Sequence, residues 1–309
     1  MSATKRKISK DLWEKLTQGE YKEIIEFASK RENDLDVQIR DNYLNIYYRG
    51  GNLLKLQPRS MSFDEFYFHT NVAEIRKTHI LEYAKAGDSH YIDLWGDYKR
   101  ERDKMLNILK EKGGMPIYCK KMKALMDAWE SALNTMGGIS HDEKNAQQNI
   151  SMNNRGGTPY TVIDVEYAVS RNSPFSYNGK LGKKIPRFDI IAVDNTGQLY
   201  VVELKTGLGS IGGTSGIREH IDCFNHTIGR DKEGEFISEM KDLLEQKRNL
   251  KLIDKRIKID ENKKPQFIFA FSDKEGENQY HAFVEACRKR NYDGKIIYLD
   301  NSYCLKDLL

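Results

Sequence analysis

The stretch Arg187-Phe188-Asp189-Ile190-Ile191-Ala192-Val193-Asp194-Asn195-Thr196-Gly197, followed by Leu199-Tyr200-Val201-Val202-Glu203-Leu204-Lys205-Thr206-Gly207, decides the fold of this chain. It reads as two short apolar strands joined by a turn, because Asp-Asn-Thr-Gly is turn chemistry between two β-branched runs. Three charges stand inside those runs: Asp189, Glu203 and Lys205. Charged side chains are rarely buried without partners, so their place in a sheet interior calls for a reason. Alternation along a strand puts Glu203 and Lys205 on one face and Val202 and Leu204 on the other. The hairpin then brings Asp189 towards Glu203 and Lys205. Two convergent carboxylates make a site for a hard cation, and a neighbouring ammonium can hold a water or a phosphate oxygen.

Outward from this hairpin, the second half of the chain mixes strands and helices. A helix begins near Ser140, a strand covers 160–169, and a glycine-rich loop spans 207–216. Helices follow at about 216–228 and 235–253, then a strand at 266–271, a helix at 278–290 and a strand at 295–299. This rhythm predicts an α/β fold, a sheet covered by helices. The first half differs. Residues 9–32 carry an apolar stripe of helical period (Leu12, Leu16, Tyr21, Ile24, Ile25). Leu35, Val37 and Ile39, then Leu44, Ile46 and Tyr48, then Leu54 and Leu56 recur at period two with Asp41-Asn42 and Gly50-Gly51-Asn52 between them. That pattern predicts an antiparallel meander, with residues 62–69 as a candidate fourth strand. Helices are expected at 97–112 and 117–136, and the boundary between halves at Gly113.

Composition narrows the classes. The chain has 309 residues, of which 31% are charged and 39% hydrophobic, a soluble globular balance. No apolar run approaches the length of a membrane span, and the basic start is not followed by the apolar stretch of a secretory leader, so no membrane partner is expected. Cys119, Cys223, Cys287 and Cys304 are far apart and unpaired in spacing, which argues against a disulfide framework or a zinc site and for a reducing cytoplasm. The net charge of +4 permits a polyanionic partner without requiring one.

The order helix, strand, strand with Asp189, strand with Glu203-Leu204-Lys205, helix, strand resembles the PD-(D/E)XK nuclease superfamily from about residue 117 to the end. Phe188 rather than proline precedes Asp189, and the nearest proline is Pro186. The resemblance implies a restriction-endonuclease-like mixed β-sheet flanked by helices over 114–309, preceded by an α+β N-terminal domain over 1–113. It implies a Mg²⁺-dependent endonuclease acting on DNA, with Mn²⁺ able to substitute, and a setting in restriction or phage defence. Asp189 and Glu203, with the carbonyl of Leu204, would be metal ligands, and Lys205 would orient water or stabilise charge on the phosphate. The stretch His141-Asp142-Glu143-Lys144-Asn145-Ala146-Gln147-Gln148 resembles the family's upstream helix and nominates Glu143 as a further carboxylate. Ser140-x-x-Glu143 is equally a capping box. Gln147, one turn on, either supports the site or is an ordinary polar surface residue.

Other signals are weaker. Lys180, Lys183, Lys184 and Arg187 precede the Asp189 strand and suit either phosphate contact or a solvated loop. Asp164 and Glu166 alternate with Ile163, Val165 and Tyr167 and read as a solvated or salt-bridged strand face, with Glu166 an alternative ligand. Gly207-Leu-Gly209-Ser-Ile-Gly212 matches a dinucleotide fingerprint, but the acid-tipped strand that should follow is replaced by the polar loop 229–235. His220 and His226 are six apart on one helix and point in different directions, so they make poor paired ligands. In the meander, Arg40, Asn45, Tyr47, Arg49 and Lys55 read as an exposed polar face, with nucleic-acid contact as the alternative. For this N-terminal half, DNA recognition, signal sensing and homodimerisation all stay open.

Overall fold

The computed structural model describes residues 6–63, 98–135, 142–169, 187–208, 211–212, 216–254, 256–272 and 277–306. Contacts group the chain into two units, Ile8–Asn145 and Ala146–Leu309 with Met1–Lys7.

In the first unit the helical stripe expected over 9–32 is two helices, α1 (Lys10–Thr17) and α2 (Lys22–Ala28). The Ser9 hydroxyl caps α1 by accepting from Leu12 N–H. The break follows from Gly19, which packs so close to the Lys15 backbone that a Cβ there would lie 2.9 Å from Lys15 Cα. Four antiparallel strands follow in sequence order: β1 (Asp36–Arg40), β2 (Tyr43–Tyr48), β3 (Gly51–Gln57) and β4 (Ser60–Ser62). The candidate strand residues 64–69 lie outside the described residues. Val37, Ile39, Leu44, Ile46, Leu54 and Leu56 are buried as the period-two pattern requires.

The opposite face is exposed at Arg49 and half-buried at Tyr47 and Lys55, but not elsewhere as expected. Arg40 and Asn45 are buried, as are Asp36 and Gln38. Gln38 donates to Asp36, Asn52 to Asn45, and Asn45 to the Tyr47 hydroxyl. Hydrogen bonding within the row is what allows these polar groups to be buried. Helices α3 (Tyr98–Ile108) and α4 (Gly114–Thr135) complete the unit. The sequence placed the boundary at Gly113, but α4 is bonded into this unit: Tyr118 Oη donates to Leu53 O, Lys123 Nζ to Asn33 O, and Tyr48 Oη to Asp127 Oδ1.

The second unit begins within α5 (Asp142–Asn153). Its five-stranded sheet has the order β5 (Tyr160–Ala168), β6 (Arg187–Asp194), β7 (Leu199–Thr206), β8 (Gln266–Ser272) and β9 (Ile296–Leu299). The β5–β6 and β6–β7 pairs are antiparallel, while β7–β8 and β8–β9 are parallel. Each parallel step needs a crossover. Helices α6 (Ile217–His226) and α7 (Glu235–Asn249) supply the first, and α8 (Glu277–Arg288) the second. The expected hairpin is present: Asp194 Oδ1 accepts from Thr196 N and Gln198 N, and Gly197 takes φ +84°, the left-handed region that favours glycine. One apolar core joins Ala146 and Ile150 of α5 to Ile190, Ala192, Val202, Leu204, Ile268 and Ala270. A second set is aromatic: Phe267 packs on Phe224 of α6, and Phe269 and Phe271 pack on Phe283 of α8.

Strand β5 departs from simple alternation. A register shift at Ile163 places Val162 and Val165 in the same core, and Glu166 takes φ +50°. Of the two readings of this face, solvated or salt-bridged, Asp164 takes the second. It is fully buried, and Arg6 Nε donates to its Oδ2 at 2.6 Å. The Arg6 carbonyl in turn accepts from Gln246 of α7, which ties the N-terminal segment into this unit. Among the described residues, no helix is long and apolar enough to cross a membrane.

Candidate active site

The β6–β7 ladder stops at Ile190 and Val202, one residue short of Asp189 and Glu203. There the side chain replaces the strand: Asp189 Oδ2 accepts the Leu204 backbone N–H at 2.8 Å. Its other oxygen, Oδ1, accepts from Gln147 Nε2 of α5 at 2.9 Å. A carboxylate held by a backbone donor and an amide has its orientation fixed from both sides. Gln147 is buried, so the surface alternative for it fails, and it engages Asp189 rather than solvent.

Glu203 and Lys205 share a face of β7, while the Leu204 side chain enters the α5-side core. Both are almost completely buried, at 3% and 4% exposure. Parallel pairing sets Glu203 beside Phe269 and Lys205 beside Phe271 of β8, so their surroundings are largely aromatic. Lys205 Nζ donates to Glu203 Oε1 at 2.8 Å. His220 Nε2 of α6 lies 3.0 Å from the same oxygen, a second cationic partner when the ring is protonated. Glu203 Oε2 is buried with no hydrogen-bond partner among the described residues. Burial pushes the Glu203 carboxyl up, yet His220 and Lys205 outweigh it and hold the group below its usual value. One turn further along α6, burial first and the Glu203 charge second push the Cys223 thiol up to about 12, so it stays protonated at neutral pH.

The structure thus gathers Asp189, the Leu204 backbone and Gln147 in one set, and Glu203, Lys205 and His220 in an adjoining one. Glu143 is in neither. It is exposed in the first turn of α5 and forms no hydrogen bond or ion pair among the described residues. Ser140, the other half of the capping box, lies outside the described residues, as do Lys180, Lys183 and Lys184. Arg187 is exposed at the start of β6, with Nη1 3.5 Å from Glu166 Oε1. A wide concavity lined by Asp194, Thr196, Arg256 and Lys258 lies at the turn end of β6 and β7, away from these groups.

His220 is the residue that sequence reasoning undervalued. His226, its neighbour of matching type in the sequence, lies with Nδ1 2.7 Å from Asp222 O. The legible signal was its register: Ile217, His220 and Cys223 or Phe224 recur at helical spacing, and the others are buried. A histidine on the buried stripe of a helix that follows β7 must face the sheet.

Carboxylate oxygens are the donors that a hard cation takes, and Asp189 and Glu203 supply them on neighbouring strands. Among the described residues, no three side chains of His, Cys, Asp or Glu converge on a common point, so a full protein cage is not the fitting case. No protein-family model, curated protein or solved structure matches the chain.

Proposed function

We propose that this protein is a metal-dependent nuclease that hydrolyses DNA phosphodiester bonds, built on a restriction-endonuclease-like sheet. The observation that carries the reading is the end of the β6–β7 hairpin. There Asp189 takes the Leu204 N–H while the next side chains, Glu203 and Lys205, form a buried ion pair with one carboxylate oxygen open. An apolar sheet has no structural need for such a pair, since well-packed hydrophobic residues of similar volume serve stability as well or better. The strand order, antiparallel then parallel, with α5 before it and α6 after β7, agrees with the fold that the motif implies.

In this reading Asp189 and Glu203 hold Mg²⁺ or Mn²⁺, which when bound supplies a water of lowered pKa and positive charge against the phosphate. The chain's own groups do the positioning. Gln147 and the Leu204 N–H fix the orientation of the Asp189 carboxylate. Lys205, held on Glu203 Oε1, keeps its ammonium in a dry setting where it can orient the attacking water or offset charge on a phosphate oxygen. The phosphate is anionic and repels hydroxide, so this fixed positive charge addresses the main barrier.

The test is cleavage of supercoiled plasmid, linear DNA and RNA with Mg²⁺, with Mn²⁺ and with chelator. Metal-dependent DNA cutting is expected, lowered about a hundredfold or more in a folded Asp189→Asn variant. Binding of these nucleic acids without cutting any of them would make the chain a binding or regulatory module instead.

A further inference from the structure

We propose that the Arg49-Gly50 turn of the first unit is a positioning element for Asp189, acting through helix α5 on Gln147, and that it thereby couples the meander unit to the candidate active site. The consequence for cleavage rests on the nuclease reading above; the coupling itself does not. Three observations carry it. Arg49 and Gly50 form the two-residue turn between β2 and β3, with φ +46° and +72°, the left-handed pair that such a hairpin uses. That backbone would admit asparagine at the second position, but the packing does not. A Cβ on Gly50 would lie 2.7 Å from Lys144 Cβ and 3.0 Å from Asn145 N, so the turn bears directly on the first turn of α5.

The second observation is that α5 runs unbroken from Asp142 to Asn153 through the boundary between Asn145 and Ala146. Its first residues belong to the first unit, while Ala146 and Ile150 are seated in the core of the second. The third is the place of Gln147, three residues after Lys144 and so about 4.5 Å further along the helix axis, on the same side of it. Gln147 is buried and donates to Asp189 Oδ1 at 2.9 Å. A regular helix passes a shift at one end to the other as a rigid element, and a hydrogen bond weakens steeply once misaligned. Gly113, in the same unit and at the same φ of +72°, has nothing within 4 Å of where its Cβ would stand. The close approach to α5 is thus particular to Gly50 and not a consequence of its backbone conformation.

The experiment compares Gly50→Asn with Gly113→Asn in the full chain, since asparagine tolerates this φ and only the first variant meets α5. The probe is the side-chain amide of Gln147 by nuclear magnetic resonance, assigned by its loss in Gln147→Leu, alongside plasmid cleavage. Gly50→Asn should speed solvent exchange of that amide by about fivefold or more and lower cleavage by a similar factor, with Gly113→Asn leaving both near wild type. Coupling is reciprocal, so Gln147→Leu should in turn loosen the backbone amides of the Arg49-Gly50 turn and of the first turn of α5, read by peptide-resolved hydrogen exchange. This second arm decides the matter even where Gly50→Asn does not fold. An unchanged Gln147 amide in folded Gly50→Asn, equal effects of the two asparagine variants, or a first turn of α5 untouched by Gln147→Leu would each overturn the proposal. An altered amide in a chain that cleaves no nucleic acid would uphold the coupling and remove the nuclease reading.

Discussion

Replacing Lys205 with methionine tests the electrostatic core of the site without touching nucleic acid. Methionine keeps the length and apolar stem of lysine and deletes the ammonium. Glu203 would then sit at 3% exposure with its 2.8 Å cation gone. Breaking a buried pair by removing one partner costs about 3–5 kcal/mol, because the surviving charge is left uncompensated. Here His220 remains 3.0 Å from the same oxygen, so the lower end, about 3 kcal/mol, is expected. At 1.4 kcal/mol per decade, that is roughly a hundredfold loss of protection. The readout must resolve β7 from the rest. The chain has 3 tryptophans, Trp13, Trp95 and Trp129, all within Ile8–Asn145, so their fluorescence follows the other unit. Peptide-resolved hydrogen exchange over β7 and β8, with β2 and β3 as internal reference, is the suitable assay. Protection should fall in β7 and β8 and hold in β2 and β3. Adding Glu203→Gln should restore most of it, since the stranded charge is then removed. Unchanged β7 protection in Lys205→Met, or a double variant whose losses simply add, would refute the account of a mutually dependent buried pair.

Three further outcomes follow from the same geometry. The folded pKa of Glu203 is depressed, so its stabilising contribution is full above the ordinary value of 4.5 and is lost as pH falls through the folded value; β7 protection should drop in acid in wild type and far less in Glu203→Gln. Replacing Gln147 with leucine deletes the donor to Asp189 Oδ1, a bond to a charged acceptor worth about 1.5–3 kcal/mol, and should reduce DNA cleavage while thermal unfolding shows the unit still folded; full activity in Gln147→Leu would remove Gln147 from the site. Arg6→Met takes the guanidinium from fully buried Asp164 and should cost about 3–5 kcal/mol in denaturant unfolding of the second unit, with Asp164→Asn in the same chain recovering part; a neutral Arg6→Met would show that the N-terminal segment is not fastened there.

Much of the second unit was legible because its signals are local. The Asp194 turn, the apolar runs on either side and the helices after β7 all announce themselves through period and turn chemistry, and the elements stand within a few residues of their expected places. The face shared by Glu203 and Lys205 followed from alternation alone. What failed was non-local. Strand β5 looked like a regular alternation of acids and apolars, but the shift at Ile163 and the positive φ of Glu166 send Asp164 inward to meet Arg6, a partner 158 residues away. No spacing rule reports such a partner. The polar row of the meander was read as exposed because polarity is the usual sign of exposure, yet Gln38 is fully buried beside Asp36. The domain boundary was drawn at a glycine pair, and contacts made by Tyr118 and Lys123 override it.

The two carboxylates of the site are held in opposite ways, and that difference bears on their roles. Asp189 has each oxygen engaged by a neutral donor, the Leu204 N–H on one and the Gln147 amide on the other. Glu203 is engaged on one oxygen by Lys205 and by His220, while its second oxygen has no hydrogen-bond partner among the described residues. Neutral donors orient a carboxylate and leave its charge available to a cation. A charged partner lowers the pKa and keeps the group ionised despite burial, at the expense of some of its pull on any further ion. The arrangement therefore orients Asp189 with neutral donors and holds Glu203 with cationic side chains. A sheet selected only for stability would replace all of them with apolar side chains, because an intact buried pair gives weak net stabilisation while each missing partner is severely destabilising. The pair's place beside Phe269 and Phe271 therefore gives the fold little that an apolar pair would not.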